Sequence, residues 1–207
     1  MARYTGPVCK LCRNEEQKLF LKGERCFSNK CSVAKRPYGS GQHGQSRKKL
    51  SEYALHLREK QKVRNTYLVL EKQFARYFEQ ASRKSGVTGT LLIQMLETRF
   101  DNVLYIAGIL PSKKQARQLI RHRHFLINGK MVNIPSYRLK PGDEISVAKG
   151  SKELIKNIQE AVAMPPAGPK WMTVDKDNHK VKIDSMPERE DMNQNFREQL
   201  IIEYYSK

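Results

Sequence analysis

Apolar residues in the second quarter of the chain recur with a helical period. They fall on one helix face, at Leu50, Tyr53, Ala54 and Leu57 and again at Tyr67, Leu70, Phe74, Phe78 and Ala81. Gly86 follows as a helix stop. We therefore expect residues 46–84 to be helical, beginning near Ser46, with this apolar face buried in a core.

Residues 96–150 predict two helices followed by a β-hairpin. The first helix ends near Gly108, and Ser112 with Gln115 forms the S-x-x-Q pattern of a capping box that begins the second. The strand FLIN runs into Asn128-Gly129, a strong signal for a two-residue hairpin turn, and KMVNI is the return strand. A further turn at KPGD precedes the strand EISV. These patterns predict a compact helix–hairpin module.

The last third of the chain predicts a helix, a hairpin and an apolar end. A helix is expected over residues 151–163 and is broken by MPPAGP, and a hairpin is expected over residues 171–184, with Trp171 as its core anchor. The segment NFREQLIIEYYSK is too apolar to remain in water. We expect it to pack against the helices of residues 46–84, which would place both chain ends in one domain.

The charge of the chain indicates a polyanionic partner. The formal net charge is +18, and a self-repelling excess of this size is typical of nucleic-acid binding. Residues 1–64 carry a net of +11, residues 65–164 a net of +8 and residues 165–207 a net of −1. No stretch approaches twenty apolar residues, so no membrane span is expected. The cationic part of the chain is therefore its first three-quarters.

Two segments concentrate these cations. In the second helix of the module, Lys113, Arg117 and Arg121 are spaced i, i+4, i+8, which predicts one cationic face with Lys114 and Gln118 beside it. The other segment, residues 34–49, is rich in glycine and basic residues and contains a literal G-x-G-x-x-G. No strand precedes it, which argues against a dinucleotide-binding fold, but its glycines would let the backbone approach phosphates beside the helix expected at Ser46.

All four cysteines lie within the first 31 residues, at Cys9, Cys12, Cys26 and Cys31. Because the first residues, MARYTGPV, contain no apolar stretch typical of a signal peptide, we expect thiolate ligation rather than disulfides or free thiols, which stay open as alternatives. Two cysteine knuckles can surround one ion tetrahedrally, and this suits Zn²⁺; an iron–sulfur cluster is the alternative. With four protein ligands, such a site would stabilise the fold rather than catalyse a reaction.

The fold expected from these patterns is α+β. It has a helical domain with an N-terminal four-cysteine metal knuckle, and an inserted helix–hairpin domain with a small antiparallel sheet, which we expect to bind nucleic acid and which the resemblance described next implies is an RNA-binding domain. The expected bounds are residues 1–45 for the metal-binding segment, 46–95 plus 185–207 for the helical domain, and 96–184 for the inserted domain, whose core is 99–150.

Several segments resemble one protein family. RFDNVLYIAGILPSKKQARQLIRHRHFLINGKMVNIPSYRLKPGDEISV is similar to a small RNA-binding module shared by several RNA-handling proteins. RYTGPVCKLC, RPYGSGQHGQ, YALHLREKQKVR and the final EYYSK, in this order, resemble the bacterial small-subunit ribosomal protein S-four family. Arg123 stands where many members have glycine, and many members lack the cysteines.

The resemblance implies a structural constituent of the small ribosomal subunit, without catalysis, in the cytoplasm. It implies primary binding to 16S rRNA at a multi-helix junction of the 5′ domain, a role in nucleating assembly, and contacts with neighbouring ribosomal proteins. It also implies a position near the path by which mRNA enters, with an influence on decoding accuracy. Together with the basic segments, it makes the following residues candidates for RNA binding: Arg3, Lys35, Arg36, Tyr38, His43, Gln45, Arg47, Lys48, Lys49, Arg58, Lys62, Arg64, Ser112, Lys113, Lys114, Arg117, Gln118, Arg121, His122 and Asn128.

Two other classes of function fit less well. An RNA-modifying enzyme could carry the same module, but the chain has no H-E-x-x-H, no phosphate-binding G-x-x-x-x-G-K-[ST] and no room for a catalytic domain. A zinc-dependent DNA-binding regulator would need the Cys2His2 spacing or a recognition helix after the cysteines, and neither is present. A structural RNA-binding protein is the leading hypothesis.

Overall fold

The computed structural model describes residues 3–46, 49–161, 169–175, 177–192 and 196–206. The chain divides into two compact units. Unit 1 comprises Met1–Ile93 together with Gln194–Lys207, and unit 2 comprises Gln94–Asn193. The N-terminal and C-terminal segments therefore lie in the same unit. Residues 185–193, which the sequence analysis assigned to the helical domain, lie in unit 2 instead.

Unit 1 is helical. Its α-helices are α1 (Val8–Asn14), α2 (Ser32–Lys35), α3 (Glu52–Thr66), α4 (Glu71–Ser82), the first part of α5 (Thr88–Glu97), and α9 (Glu198–Ser206), with a 3-10 helix at Gly23–Cys26. The helical run expected from Ser46 is wrong at its start. It begins at Glu52, because the Ser51 hydroxyl accepts a hydrogen bond from the Ala54 N–H at 3.3 Å and caps the helix there. Residues 67–70 then separate α3 from α4, where Leu68 adopts a left-handed backbone (φ +51°).

The apolar face predicted for this region is buried only in its second half. Leu50 is 38 % exposed and Tyr53 is 58 % exposed, so the expected burial of these two residues is wrong. On α3 the buried face instead carries polar groups, His56 and Lys60. Further along, Tyr67, Phe74 and Ala81 are buried as predicted.

The helix α9 packs against α3 and supplies partners for its buried polar groups: Glu203 pairs with His56 at 2.9 Å, and the Lys60 ammonium lies 4.5 Å from the centre of the Tyr204 ring. The Tyr205 ring stacks on Phe78 at 4.5 Å between ring centroids and lies 6.3 Å from Phe74. Its hydroxyl donates to a Glu71 carboxylate oxygen at 3.0 Å, and Ile201 is fully buried. The prediction that the apolar C-terminal segment packs against the helices of residues 46–84 is confirmed.

Unit 2 combines helices with one small antiparallel sheet. Its helices are the end of α5, α6 (Phe100–Ile106), α7 (Lys113–Arg121) and α8 (Lys152–Ala161), with 3-10 helices at Lys149–Ser151 and Arg189–Asp191; its strands are β1 (Phe125–Ile127), β2 (Lys130–Met131), β3 (Glu144–Val147), β4 (Met172–Asp175) and β5 (Lys180–Ile183). The strand order is β2-β1-β3-β5-β4, and every neighbouring pair is antiparallel. The chain is therefore a mixed α+β protein, as predicted.

Both predicted hairpins of unit 2 are present. The strand β1 pairs with β2 through the Asn128-Gly129 turn, in which both residues have positive φ (+50° and +74°), as a type I′ turn requires. The strands β4 and β5 form the second hairpin, and Trp171 beside it is 2 % exposed, so its predicted place in the core is confirmed. Most of the MPPAGP segment lies outside the described residues. Within the described residues, no helix is long and apolar enough to span a membrane.

Candidate nucleic-acid interface

The helix α7 begins as the sequence predicts. Ser112 is the N-cap, and its hydroxyl accepts a hydrogen bond from the Gln115 N–H at 3.3 Å. The apolar face of the helix, with Ala116, Leu119 and Ile120, is buried in the core of unit 2. The cap and this face together fix which side chains α7 presents to solvent.

The predicted cationic face of α7 is wrong for its first half. Lys113 is buried, at 4 % exposed, and its ammonium nitrogen lies 5.4 Å from the centre of the Tyr105 ring. Burial lowers the pKa of Lys113 to about 8. Only Arg121, near the end of the helix, is an exposed cation of the three, with Gln118 exposed and Lys114 half-buried beside it.

Arg117 is held by an internal carboxylate. Its Nε donates to Asp101 Oδ2 at 2.5 Å, and Arg99 donates to the two oxygens of the same carboxylate at 3.1 and 3.0 Å. Asp101 is 1 % exposed. Burial by itself would raise its pKa, but the two guanidinium groups outweigh burial and hold the pKa of Asp101 below its usual value. The periodicity placed Arg117 and Arg121 on the same face but could not show that an acidic side chain from α6 covers part of it.

Residues 121–123 form an exposed basic segment of unit 2. Arg121, His122 and Arg123 are all exposed, and none of them forms an ion pair with a described residue. Arg123 adopts a left-handed backbone (φ +64°), which a residue with a Cβ atom adopts only at a cost. His124 is half-buried, and its Nδ1 lies 2.8 Å from the Ser151 hydroxyl.

The side chain of Asn128 is hydrogen-bonded to the start of strand β3. Its Nδ2 donates to Asp143 Oδ1 at 2.8 Å, and its Oδ1 accepts from the Glu144 N–H at 2.9 Å. Both polar atoms therefore stabilise the hairpin and the neighbouring strand β3. This structural role is sufficient reason for an asparagine at position 128 without any contact to RNA.

In unit 1 the basic segment REKQKVR also contains both an exposed cation and cations held in ion pairs. Arg58 is exposed and donates to the Asn14 carbonyl oxygen at 3.3 Å. By contrast, Lys62 pairs with Glu59 at 3.1 Å, and Arg64 pairs with Glu71 at 3.3 Å. Half-buried ion pairs of this kind leave less charge for a partner than an exposed cation does.

The glycine-rich segment is anchored to α1. Arg13 donates to the carbonyl oxygens of Tyr38 at 3.0 Å and Gly39 at 2.8 Å, and its guanidinium lies 5.1 Å from the centre of the half-buried Tyr38 ring. Asn14 accepts from the Ser40 N–H and hydroxyl. No helix begins at Ser46, so the expected helix end beside the glycines is absent from the described part of this segment. The exposed candidates in unit 1 are Arg3, Lys35, Arg36, His43, Gln45, Lys49 and Arg58, whereas Arg47 and Lys48 lie outside the described residues.

The four cysteines line one small cavity. Cys9, Cys12, Cys26 and Cys31 surround a space of about 10 Å³, and all four are free thiols. Burial raises the pKa of the Cys12 and Cys26 thiols, and the neighbouring cysteines add to this effect. Among the described residues, no group of three or more Cys, His, Asp or Glu side chains is already arranged to hold a metal ion. The four thiols therefore fit a metal by donor type and convergence, and not by ready-made coordination geometry.

Comparison with known proteins gives matches along the whole chain. The model of the ribosomal protein S4/S9 N-terminal domain matches residues 3–97, and the S4 domain model matches residues 98–145. The small ribosomal subunit protein uS4 of Ruminiclostridium cellulolyticum is 56 % identical over 209 aligned residues, covering 100 % of both chains. Proteins of the same name from Syntrophobacter fumaroxidans and Thermus thermophilus are 53 % and 51 % identical, again over 100 % of both chains.

The chain belongs to the uS4 family. The boundary between the two uS4 family models, at residues 97 and 98, falls close to the boundary between unit 1 and unit 2. The S4 domain match contains α6, α7 and the first hairpin, and so contains the exposed cations of residues 121–123. The exposed cations of unit 1 lie in the N-terminal match.

Three exposed residues in the uS4 matches were missed by the sequence analysis. Arg123 was noted only as a departure from glycine, although its exposure makes it a candidate. Phe20 and Phe27 are 36 % and 62 % exposed, and their ring centroids lie 5.1 Å apart. The sequence signal for the two phenylalanines is the alternation of aromatic and basic residues in KLFLKGERCF, which overlaps the cysteine segment.

Proposed function

We propose that this chain is a structural, non-catalytic constituent of the small ribosomal subunit that binds 16S rRNA directly, at a junction of several RNA helices. The observation that carries the proposal is the full-length match to small ribosomal subunit protein uS4, at 56 % identity over 100 % of both chains. Binding of this kind would help nucleate assembly of the subunit and prepare contacts with neighbouring ribosomal proteins.

The charge distribution supports the proposal. The +18 excess is carried entirely by residues 1–164, and each unit has a set of exposed cations. Lys and Arg that neutralise phosphates supply affinity, whereas specificity for a junction comes from the shape that rigid surfaces can match. The deep groove of A-form RNA hides the base edges, so junction shape is the feature that a protein can recognise.

The structure narrows the set of proposed contacts. The residues that we propose for phosphate or sugar contacts are the half-buried Lys114 and the exposed residues Arg3, Lys35, Arg36, His43, Gln45, Lys49 and Arg58 in unit 1 and Gln118, Arg121, His122 and Arg123 in unit 2. Arg47 and Lys48 stay in the proposal on sequence alone. Lys113, Arg117 and Asn128 are assigned to the internal support of unit 2, and Lys62 and Arg64 to ion pairs of unit 1.

A competition experiment tests this function. A transcript of the 16S rRNA 5′ domain should bind tightly, should outcompete DNA of the same sequence, and should lose affinity steeply between about 50 and 200 mM salt. Arg58→Ala and Arg121→Ala should each reduce the salt slope by about one unit. Equal affinity for the RNA and the DNA would contradict a role in reading A-form junctions.

The position near incoming mRNA, with an influence on decoding accuracy, is a finer part of the same proposal. It is supported by the family resemblance. It is also supported by the number of exposed cations, because those that do not contact one rRNA junction are available to contact a second RNA. Reconstituted subunits carrying mRNA with a photo-reactive nucleotide provide the test. Crosslinks to this chain are expected when the nucleotide lies downstream of the decoded codon, and their absence would remove this part of the proposal.

We propose further that Cys9, Cys12, Cys26 and Cys31 hold one structural Zn²⁺, with an iron–sulfur cluster as the alternative. The support is that the four thiols, which are spread over 23 residues of sequence, converge on one cavity. A bound ion would cross-link α1, the 3-10 helix Gly23–Cys26 and the start of α2. Four protein ligands would leave no open position for chemistry.

Metal analysis under reducing conditions tests this site. Close to one equivalent of zinc is expected, and a strong chelator should lower the melting temperature of unit 1 while leaving unit 2 unchanged. A small apolar cluster, which includes Val8, Leu21 and Val33, should keep part of the segment folded after chelation. Less than half an equivalent of zinc or iron would exclude the proposed site.

A further inference from the structure

The segment around the cysteines exposes a pair of aromatic rings. Phe20 and Phe27 are in contact, with ring centroids 5.1 Å apart and planes inclined by 31°. Phe27 is 62 % exposed, the highest exposure of any described aromatic side chain. Burying this surface would be favourable, and no described residue of unit 1 covers it.

The backbone at Phe20 is strained. Its φ is +49°, in the left-handed region that a bulky side chain rarely adopts. Such outliers persist when the surrounding structure holds them, and they concentrate at binding sites. Here the strained residue is one of the two rings that meet at the surface.

Four exposed cations lie in the same segment as the pair. Lys18, Lys22, Arg25 and Lys30 are all exposed, and none of them forms an ion pair with a described residue. Phe20, Lys18, Lys22 and Arg25 also line the same small cavity as the cysteines, so these groups share one face of the segment. The only carboxylate in this stretch is Glu24. Exposed aromatic rings within a cationic rim match the two faces of an unpaired nucleotide, which are a flat base and a phosphate.

We infer that Phe20 and Phe27 form a stacking platform for an unpaired nucleotide of the RNA, with Lys18, Lys22, Arg25 and Lys30 neutralising the adjacent phosphates. This inference rests on the proposed RNA-binding function. It adds the stacking of a base on an aromatic ring, which contacts to an RNA duplex do not include. A base in a duplex is already stacked on its neighbours, so the platform selects bulges, loops or junction strands. Another protein would more naturally cover an apolar patch with a mixed-charge rim.

Affinity measurements separate stacking from charge. Phe27→Ala should weaken binding of the 16S rRNA 5′-domain transcript by about 5- to 150-fold with an unchanged salt slope, because no charge is removed. Lys22→Ala should instead lower the slope by about 0.7, the value for a single-strand phosphate. Val87→Ala is the matched control, because Val87 is an apolar side chain that is 70 % exposed in the same unit; it should bind as the wild type does.

A fluorescent variant gives a direct readout. The chain has one tryptophan, Trp171, so the change in emission of Phe27→Trp over the wild type reports on position 27. A short oligouridine should quench this emission, and a blunt RNA duplex at the same phosphate concentration should not. Equal quenching by both probes would show electrostatic proximity without stacking and would overturn the inference.

Failure of the platform is distinguishable from failure of the proposed function. If Phe27→Ala binds the transcript as the wild type does while Arg58→Ala weakens it, RNA binding stands and the platform is wrong. If Phe27→Ala binds RNA normally but no longer joins reconstituted small subunits, the pair docks on a neighbouring protein, and the inference is wrong again. A wild-type chain that does not prefer the RNA to DNA would contradict the function itself.

Discussion

Arg117 and Arg121 lie one turn apart on α7, yet the structure predicts opposite consequences when each is replaced by alanine. Arg117 is 12 % exposed and bonds to the buried Asp101 carboxylate, whereas Arg121 is exposed and forms no ion pair with a described residue. Removing Arg117 should therefore affect stability, and removing Arg121 should affect RNA binding. The two variants form a matched pair on one helix.

The loss of stability expected for Arg117→Ala depends on the hydrogen bonds that Asp101 retains. After Arg117→Ala, the carboxylate still accepts two hydrogen bonds from Arg99, at 3.1 and 3.0 Å, so the pair network is weakened rather than broken. The loss includes the hydrogen bond from Arg117 to Asp101, which joins two charged groups and contributes about 2 kcal/mol. For a unit of about 100 residues, this corresponds to a fall in melting temperature of roughly 8–16 °C. Arg121→Ala should change the free energy of unfolding by no more than about 0.5 kcal/mol.

The buried Trp171 lies in unit 2 and is the only tryptophan, so its emission follows the unfolding of the unit that contains both arginines. Anisotropy titrations with the 5′-domain transcript, between about 50 and 200 mM salt, give the second readout. We expect Arg121→Ala to reduce the salt slope by about 0.9 and Arg117→Ala to leave it unchanged. The reasoning is refuted if Arg117→Ala melts as the wild type does and also lowers the slope, because Arg117 would then leave Asp101 for a phosphate.

Three further substitutions test other parts of the structure. Wild-type unit 2 should gain about 1–3 kcal/mol in stability as the pH rises from about 8 towards 10.5, since in that range the unfolded lysine is still protonated and the buried Lys113 is not. Lys113→Met should remove this gain, as measured by urea unfolding followed through Trp171 emission. An equal gain in both proteins would count against the burial of Lys113. Arg123→Gly should relieve the left-handed backbone strain and raise the free energy of unfolding by up to about 1 kcal/mol, while lowering the salt slope by about 0.9, and a loss of stability would contradict it. Tyr205→Ala should destabilise unit 1 by about 2 kcal/mol, as measured by calorimetry. Tyr205→Phe should destabilise it by only about 1 kcal/mol, because the phenylalanine ring still stacks on Phe78. Equal melting temperatures of the two variants would show that the stack contributes nothing.

Signals that depend on neighbours in sequence were reliable in this chain. The Ser112 cap, the Asn128-Gly129 turn and the apolar period of α4 are decided within a few residues, and each appears in the structure. The family resemblance, too, rested on ordered local motifs. Local chemistry was therefore enough to predict the α+β class and the helix–hairpin module.

Signals that depend on distant parts of the chain were missed. The i, i+4, i+8 spacing of α7 showed which cations share a face, but the burial of Lys113 under Tyr105 and the pairing of Arg117 with Asp101 depend on α6. The burial of His56 and Lys60 likewise depends on α9, more than a hundred residues away, where Glu203 pairs with His56 and the Tyr204 ring lies against Lys60. A periodicity records which residues share a face and not what lies against it.

The packing of α9 on α3 has a consequence for the order in which the chain is made. Glu71 and Tyr205, which are hydrogen-bonded, are 134 residues apart. At about 5–20 residues per second, roughly 7–27 s pass between the synthesis of the two. Unit 2 is one continuous segment and is complete before α9 exists, so during that interval the Phe74 and Phe78 rings lack the aromatic side chain on which they stack. The helices α3 and α4 are thus made before unit 2 but acquire this packing partner only after it, and a nascent chain in this state carries a finished unit 2 and an open aromatic face.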